Sequence, residues 1–247
     1  MLLAASVVVV VTLAAACAGT PDLQPAPTTS ATSTTAPNPT APKQTAPNQT
    51  RAGTRPAQPS VRPAPPITIA DRGPGTFTRA DLTQQAASAR GKLLRYDVRV
   101  EKGLPFDSMA VAATIQQILN DERSWRGSGD WRFELVDSPA DADLHAYLAN
   151  PKTTDKLCAP LLTRGEVSCQ NGRSVVLNAK RWAFGAPAYG RDVAGYRRYL
   201  VNHEFGHTLG RQHVGCPGQG RLAPVMMQQT KGLRGCRANS WPSPTRW

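Results

Sequence analysis

Residues 67–247 show two kinds of hydrophobic pattern, one with the two-residue period of β-strands and one with the period of α-helices. Four segments show the two-residue alternation or short apolar runs of β-strands: residues 91–103, 131–136, 142–149 and 174–179. Two segments have the helical period and follow an aspartate suited to an N-cap. One runs from Asp107 to about Asn120 and the other from Asp192 to Leu209. This order of elements predicts a mixed α/β (α+β) domain.

The side-chain patterns of two elements refine this prediction. One face of the first helix carries apolar residues, which we expect to pack against the sheet as a backing helix: Met109, Ala112, Ile115 and Leu119. In the third strand, Leu144, Ala146 and Leu148 share one face, so His145 lies on the other. We interpret His145 as an ordinary polar-face histidine.

The amino end has the pattern of an export signal. An apolar run from Leu2 to Ala16 ends in LAAAC at Cys17. About 15 residues are too few to span a bilayer, which takes roughly 20, but they suit a secretory signal. LAAAC resembles a bacterial lipobox, in which Cys17 would be lipidated; the alternative is a plain signal removed with Cys17. Residues 1–19 therefore predict an exported protein, extracellular or held at the cell envelope, whose membrane contact is limited to such an anchor or an uncleaved signal.

Residues 20–66 have the composition of a disordered stalk. They hold 12 of the 22 prolines, ten threonines and no aromatic residue. Such a segment buries too little apolar surface to offset the entropy lost on ordering it. The folded domain is therefore expected at residues 67–247, where about 180 residues suffice for a sizeable core.

The charge of the chain limits its partners. The formal net charge is +12, and from Ile67 onward 25 lysines and arginines stand against 16 acidic residues. The basic residues are scattered rather than grouped in runs, which argues against nucleic acid. An anionic cell envelope is the expected counterpart, and a solvated basic surface without a partner is the alternative.

Four cysteines follow the stalk, an even number that favours two disulfides in an exported chain. Three connectivities are open, and the pairing of sequence neighbours is the simplest: Cys158–Cys169 and Cys216–Cys236. No CxxC spacing occurs, so the cysteines do not indicate a zinc site.

Three of the four histidines lie in the stretch HEFGHTLGRQH, which begins at His203. His203 and His207 are four residues apart and share one face of the second helix, where two imidazoles can bind one metal ion. Glu204, rotated by about 100°, can take a proton from a metal-bound water. Gly210 is suited to end the helix, so that His213 can turn back as the third ligand. Three nitrogens and a water make an open, catalytic site for one Zn²⁺ per chain.

The full pattern resembles the zinc signature of the metzincin clan of metalloproteases. That clan carries a methionine in a turn beneath its ligands. Here APVMMQQT supplies Met226, which fits the usual Val-Met pattern, and Met227 as the alternative. With CPGQG and the VVLN strand, the chain from about Ile67 to Trp247 resembles a poorly characterised zincin-like family of exported actinobacterial proteins.

The resemblance implies a metzincin-like zincin fold. A mixed twisted sheet with a backing helix would stand above an active-site helix, and a small irregular C-terminal subdomain would hold the Met-turn. An edge strand, either residues 174–179 or a neighbour, would line the cleft and pair with extended substrate. A Cys216–Cys236 bridge would close a loop around the Met-turn. No tyrosine follows the methionines, so Gln228 and Gln229 are the candidate transition-state donors.

Motif and resemblance together predict a secreted or surface-tethered zinc metallopeptidase that acts on a protein or peptide. His203, His207 and His213 would bind Zn²⁺, and Glu204 would be the general base and then the acid. Two alternatives stay open: a zinc-containing envelope-binding or scaffold module without turnover, and a zinc amidase acting on cell-wall peptides. The sequence leaves subsite preference, endo- or exo-action and oligomeric state open.

Overall fold

The computed structural model describes residues 66–242. The predicted signal (1–19), with Cys17, and the predicted stalk as far as residue 65 lie outside the described residues. Within residues 66–242, no helix is both long and apolar enough to cross a membrane.

A mixed six-stranded sheet forms the centre of the fold. Its strands are β1 (Phe77–Arg79), β2 (Lys92–Glu101), β3 (Trp131–Leu135), β4 (Leu144–Ala149), β5 (Cys169–Asn171) and β6 (Ser174–Asn178). β2, β4 and β6 run parallel, side by side. β1 (antiparallel) and β3 (parallel) share the outer edge of β2, and β5 pairs antiparallel with β6 at the other end of the sheet. The predicted α/β class and all four predicted strands are confirmed.

Four α-helices accompany the sheet: α1 (Ser108–Leu119), α2 (Pro151–Cys158), α3 (Ala179–Phe184) and α4 (Val193–Thr208). Short 3-10 helices occur at Trp125–Ser128, Pro187–Tyr189 and Gln229–Lys231. The two predicted helices, α1 and α4, begin after the predicted caps. Asp107 accepts a hydrogen bond from Ala110 N at 2.8 Å, and Asp192 accepts one from Gly195 N at 2.7 Å. Each cap satisfies a backbone donor that the helix itself leaves free.

The main core lies between α1, α4 and one face of the sheet. Phe205 of α4 meets Tyr96 of β2 and Phe133 of β3 edge-on, with ring centroids 5.3 and 5.9 Å apart. Edge-to-face contacts of this kind stabilise beyond the area they bury. They fix α4 against the sheet, and with it the histidines that α4 carries.

The prediction for α1 was wrong at Met109, which is 43% exposed. The other three residues of the predicted face, Ala112, Ile115 and Leu119, are buried. Val111 is buried beside them and shifts the stripe around the helix. Met109 then lies roughly 90° from the centre of that stripe, since successive residues are rotated by about 100°.

The opposite face of the sheet carries a smaller cluster, built from α2 and the ends of the strands: Ala149, Cys158, Cys169 and Val176. The disulfide Cys158–Cys169 joins α2 to β5 across 11 positions of sequence. It therefore attaches the edge strand, together with the loop before it, to the body of the domain.

His145 lies on that opposite face, as its alternation predicts. It contacts the fully buried Asp97 at 2.7 Å, and Asp97 also accepts a hydrogen bond from Arg99 Nε at 2.8 Å. The cluster satisfies the carboxylate that the sheet buries. His145 is thus separate from the other three histidines.

From Gly210 to Pro242 the chain forms neither an α-helix nor a named strand. Its order comes from the disulfide Cys216–Cys236 and from buried side-chain amides. Gln229 and Asn239 exchange hydrogen bonds between side chain and backbone at 2.8 and 3.0 Å. Both disulfides join the predicted pairs, and the irregular C-terminal region is present.

Gly206 marks the closest approach of α4 to its neighbours. A Cβ atom placed there would lie 2.5 Å from Met226 Sδ and 2.7 Å from Trp125 Cζ2. Only a residue without a side chain fits between these two groups without displacing them.

We therefore expect Gly206→Ala to lower the free energy of unfolding of the metal-free protein by about 1–2 kcal/mol. Because the added methyl would meet two groups closer than 3 Å, overpacking costs about 2–3 kcal/mol, the upper part of its usual range, and outweighs the gain of nearly 1 kcal/mol that alanine gives in an open helix. The measurement is urea denaturation. Gln117→Ala, on the exposed side of α1, is the control and should change stability by less than about 0.5 kcal/mol. A Gly206→Ala protein as stable as wild type would contradict this packing.

Candidate metal centre

Three imidazoles converge at the carboxyl end of α4. His213 Nε2 lies 3.2 Å from His203 Nε2 and 3.1 Å from His207 Nε2. The three ligand nitrogens lie within 4.8 Å of one another and could hold a metal ion. Around an ion bound at 2.0–2.1 Å in a tetrahedron, ligand nitrogens are about 3.3 Å apart. The spacing of the nitrogens therefore fits a small cation.

The turn after α4 carries the third histidine back to the first two. Gly210 has φ +79°, a conformation that glycine adopts readily. Its N–H donates to His207 O at 3.0 Å, and Arg211 N donates to Gly206 O at 3.1 Å. These two bonds form a Schellman end, which satisfies the last carbonyls of the helix. The chain then runs on to His213.

Hydrogen bonds at the far ring nitrogens set the state of two histidines. His203 Nδ1 lies 2.8 Å from Val225 O, and His207 Nδ1 lies 2.8 Å from Arg211 O. A carbonyl can only accept, so each Nδ1 carries the proton. Each Nε2 is then a bare lone pair aimed at the same point as its neighbours. This is the arrangement that backbone carbonyls impose on metal-binding histidines.

The surroundings disfavour protonation of all three rings. Burial is the main cause that lowers the pKa of His203 from 6.5 to about 3, and the neighbouring His207, His213 and Lys231 contribute in the same direction. Burial also lowers the pKa of His207 and of His213. The lone pairs are therefore available to a cation at neutral pH.

Glu204 is the buried acid of the site. Its side chain lines the same cavity as the three histidines, and burial raises its pKa from 4.5 to about 8. Among residues 66–242, no hydrogen-bond donor contacts its carboxylate. Its oxygens are therefore left to the cavity, where a carboxylate beside three imidazoles can accept and release a proton.

The two candidate methionines occupy different environments. Met226 is buried in the main core under α4, with its sulfur against Gly206 between His203 and His207. Met227 packs instead with the second disulfide in the C-terminal cluster. Met226 is therefore the methionine that packs against α4 beside the histidines, in a turn closed by Met227 N donating to Pro224 O at 2.9 Å.

Tyr199 ties this turn to α4, a role that the sequence did not reveal. Its hydroxyl donates to Met227 O at 3.0 Å and accepts from Gln229 N at 2.9 Å. Its ring centroid lies 5.2 Å from that of His203. Burial raises the pKa of Tyr199 well above 10, so it stays a neutral donor. The turn that provides Val225 O to His203 is thereby fixed.

The histidines open into a cavity of about 380 Å³. One wall comes from residues 161–170, the second from residues 228–231, and α4 forms the floor. Of the two candidates for the edge strand, residues 174–179 and a neighbour, the neighbour β5 lies at the edge. β6 is internal and β5 is the edge, with Cys169 and Gln170 of β5 in the cavity wall.

Of the two glutamines considered as donors, Gln229 is excluded. It is fully buried, and both ends of its amide are bonded, to Pro224 and Asn239 of the C-terminal region and to Tyr189. Gln228 lines the cavity. So does Lys231, which could not be recognised beforehand, because only the fold brings it near the histidines.

Comparison with known proteins gives a family but no relative of known activity. No curated protein and no solved structure matches this chain. A family profile matches residues 64–240, a span that covers every element described above. The chain therefore belongs to the family DUF3152, whose description is "protein of unknown function".

Proposed function

We propose that the protein is an exported zinc-dependent peptidase of the metzincin type, which hydrolyses peptide bonds in a protein or peptide substrate. One observation carries this proposal: three imidazole nitrogens converge at a cavity floor beside the largely buried carboxylate of Glu204, which also lines that cavity. The mixed sheet, the helix end at Gly210 and the methionine beneath the imidazoles support the metzincin comparison.

The donor set favours zinc over other cations. Three neutral imidazoles without a carboxylate or thiolate ligand suit Zn²⁺, and the cavity above them leaves room for a fourth ligand. When bound there, Zn²⁺ lowers the pKa of a water molecule to about 7 and polarises a carbonyl.

Glu204 performs the proton transfers in this mechanism. Its carboxylate accepts a proton from the attacking water and donates it to the amine nitrogen of the leaving peptide. Its burial keeps bulk water from competing for that proton. A raised pKa suits the acid half of the cycle, since the group must hold the proton until the amine leaves.

The free edge of β5 is suited to position the substrate. Among residues 66–242, β5 pairs only with β6, and its outer side belongs to the cavity wall. An extended peptide can add to such an edge by main-chain hydrogen bonds, which places its carbonyls at a fixed height above α4.

Burial of Glu204 argues against a scaffold without turnover. An unpaired buried carboxylate destabilises a fold, and a purely structural site gains nothing from it. The two disulfides indicate an oxidising environment. Export through residues 1–19, with or without lipidation at Cys17, is the part of the proposal that rests on sequence alone.

We expect the purified protein to bind one zinc per chain, and His207→Ala to weaken zinc binding by more than about a hundredfold. Loss of even an outer hydrogen bond weakens such sites by roughly 10–100-fold, and loss of a ligand weakens them more. Zinc content after dialysis and competition with a chromophoric chelator measure this. His145→Gln, which changes the histidine outside the cluster, should keep its zinc. An equal zinc content in wild type, His207→Ala and His145→Gln would contradict the assigned ligands.

Glu204→Gln is expected to keep the zinc and to lower kcat on peptides by about 10²–10⁴-fold, because the amide cannot carry the proton. A proteome-derived peptide library read by mass spectrometry identifies the cleavages. Glu122→Gln, a change at an exposed carboxylate, is the control and should cleave as wild type does. Peptide release from purified cell wall alone would indicate the amidase instead. Binding to envelope without any turnover would indicate the scaffold.

Glu204 should also make the metal-free protein less stable as pH rises. Between pH 4.5 and about 8 its carboxyl is ionised in the unfolded chain but protonated in the folded one, so folding stability falls across that window. His203 acts in the opposite sense, and its contribution falls as pH drops from 6.5 towards 3. Replacing Glu204 by an uncharged residue therefore raises the folding stability most at alkaline pH.

The measurement is urea denaturation with a chelator present, at pH 5 and pH 8. Glu204→Gln should exceed wild type in stability at pH 8 by clearly more than at pH 5. An equal difference at the two pH values would show that the carboxyl is not buried as described.

A further inference from the structure

Two adjacent leucines stand exposed on the wall of the cavity. Leu161 is 51% and Leu162 is 82% exposed, and both line the space above the histidines. Single exposed apolar residues are common on protein surfaces. A neighbouring pair on the wall of a cleft is less so, and it offers apolar surface for a ligand to cover.

The loop that carries these leucines is fixed on several sides. Asp155 Oδ1 accepts hydrogen bonds from Thr163 Oγ1 at 2.6 Å and from Gly165 N at 2.5 Å. Asn171 Nδ2 donates to Ala159 O at 2.9 Å, and the Cys158–Cys169 disulfide closes the base of the loop. The leucines are thus exposed although their backbone is ordered. A pre-ordered surface loses little entropy when it binds.

The second wall carries a cation without a counter-charge. Lys231 lines the cavity, and its ammonium makes no ion pair within residues 66–242. Glu204 is the sole carboxylate among the described residues that line the cavity. With a divalent cation held by the three histidines, the cavity would have a positive potential, which attracts anionic groups.

We propose that the cleft selects peptides that carry a bulky apolar side chain and an acidic side chain close to the scissile bond. Leu161 and Leu162 contact the apolar side chain, and Lys231 binds the carboxylate. This inference rests on the proposed peptidase function and specifies its substrate class.

The test uses quenched fluorescent peptides in two matched series. One series varies a single position between leucine and alanine, and the other varies a single position between aspartate and lysine, with each position placed in turn on both sides of the cleaved bond. For wild type we expect kcat/KM to be at least about tenfold higher for leucine than for alanine. Aspartate should be preferred over lysine by a similar factor.

Two variants assign these preferences to their residues. Leu162→Ser should reduce the leucine-to-alanine ratio towards one, and Lys231→Glu should invert the aspartate preference. Phe184→Ser, exposed but away from the cavity, and Lys102→Glu, at the end of β2, are the matched controls and should keep both ratios. Zinc content is measured for every variant, so a lost metal site is not mistaken for lost selectivity.

Binding gives a second readout that does not depend on turnover. Zinc-loaded Glu204→Gln should bind the leucine- and aspartate-containing peptides more tightly than their partners by fluorescence anisotropy. If wild type cleaves peptides but both ratios stay near one, or the variants leave them unchanged, this inference is overturned and the peptidase function stands. If wild type binds zinc yet neither cleaves nor binds any peptide, the proposed function fails, and the inference fails with it.

Discussion

The whole site depends on three imidazole nitrogens that the fold holds against one another. With Nδ1 of His203 and of His207 donating to carbonyls, both Nε2 atoms face His213 Nε2 as acceptors, and a neutral His213 can donate a proton to only one of them. At least one pair of lone pairs therefore stays in opposition unless a cation occupies the centre. The surrounding fold can be understood as the support that holds these nitrogens in place: aromatic packing on α4, a Schellman end at Gly210, and a turn that delivers the Val225 carbonyl.

That support is made of polar bonds where a larger domain would use apolar packing. The chain after Gly210 has few buried hydrophobic residues, and its shape is set by Tyr199, Gln229 and Asn239 bonding to backbone. Hydrogen bonds are directional, whereas hydrophobic contacts are not. A region organised in this way holds a carbonyl in one orientation more strictly than an apolar cluster of the same size. The carbonyl of Val225 requires such a fixed orientation, because it accepts the hydrogen bond from His203 Nδ1.

Two kinds of feature could be predicted from the sequence: elements with a repeating hydrophobic pattern, and residues of a type that is rare in this chain. α1, α4 and four strands follow hydrophobic periods, and the HEFGHTLGRQH spacing indicated the ligand set because histidine is rare in this chain. β1 and β5 were missed because a strand of three residues is too short to show an alternation, and α2 and α3 because a helix of six to eight residues completes barely two turns. Tyr199, Lys231 and the Leu161–Leu162 pair could not be recognised, since their roles arise from contacts between segments far apart in sequence. Met109 shows the same limit on a smaller scale, because one added buried residue rotates a helix face.

Both disulfides join residues close in sequence, 11 and 20 positions apart, and neither connects α4 to the segment behind it. A cation held by His203, His207 and His213 would therefore add a cross-link between these two parts, beside the hydrogen bonds of Tyr199, and would close a loop of ten residues. Loss of the ion would release the third imidazole and loosen the segment that carries it. Binding of the ion and ordering of this region are then thermodynamically linked, so that the affinity for the ion depends on how well the region is ordered. A chain that reaches its destination without metal would complete its folding there, at the moment of metal uptake.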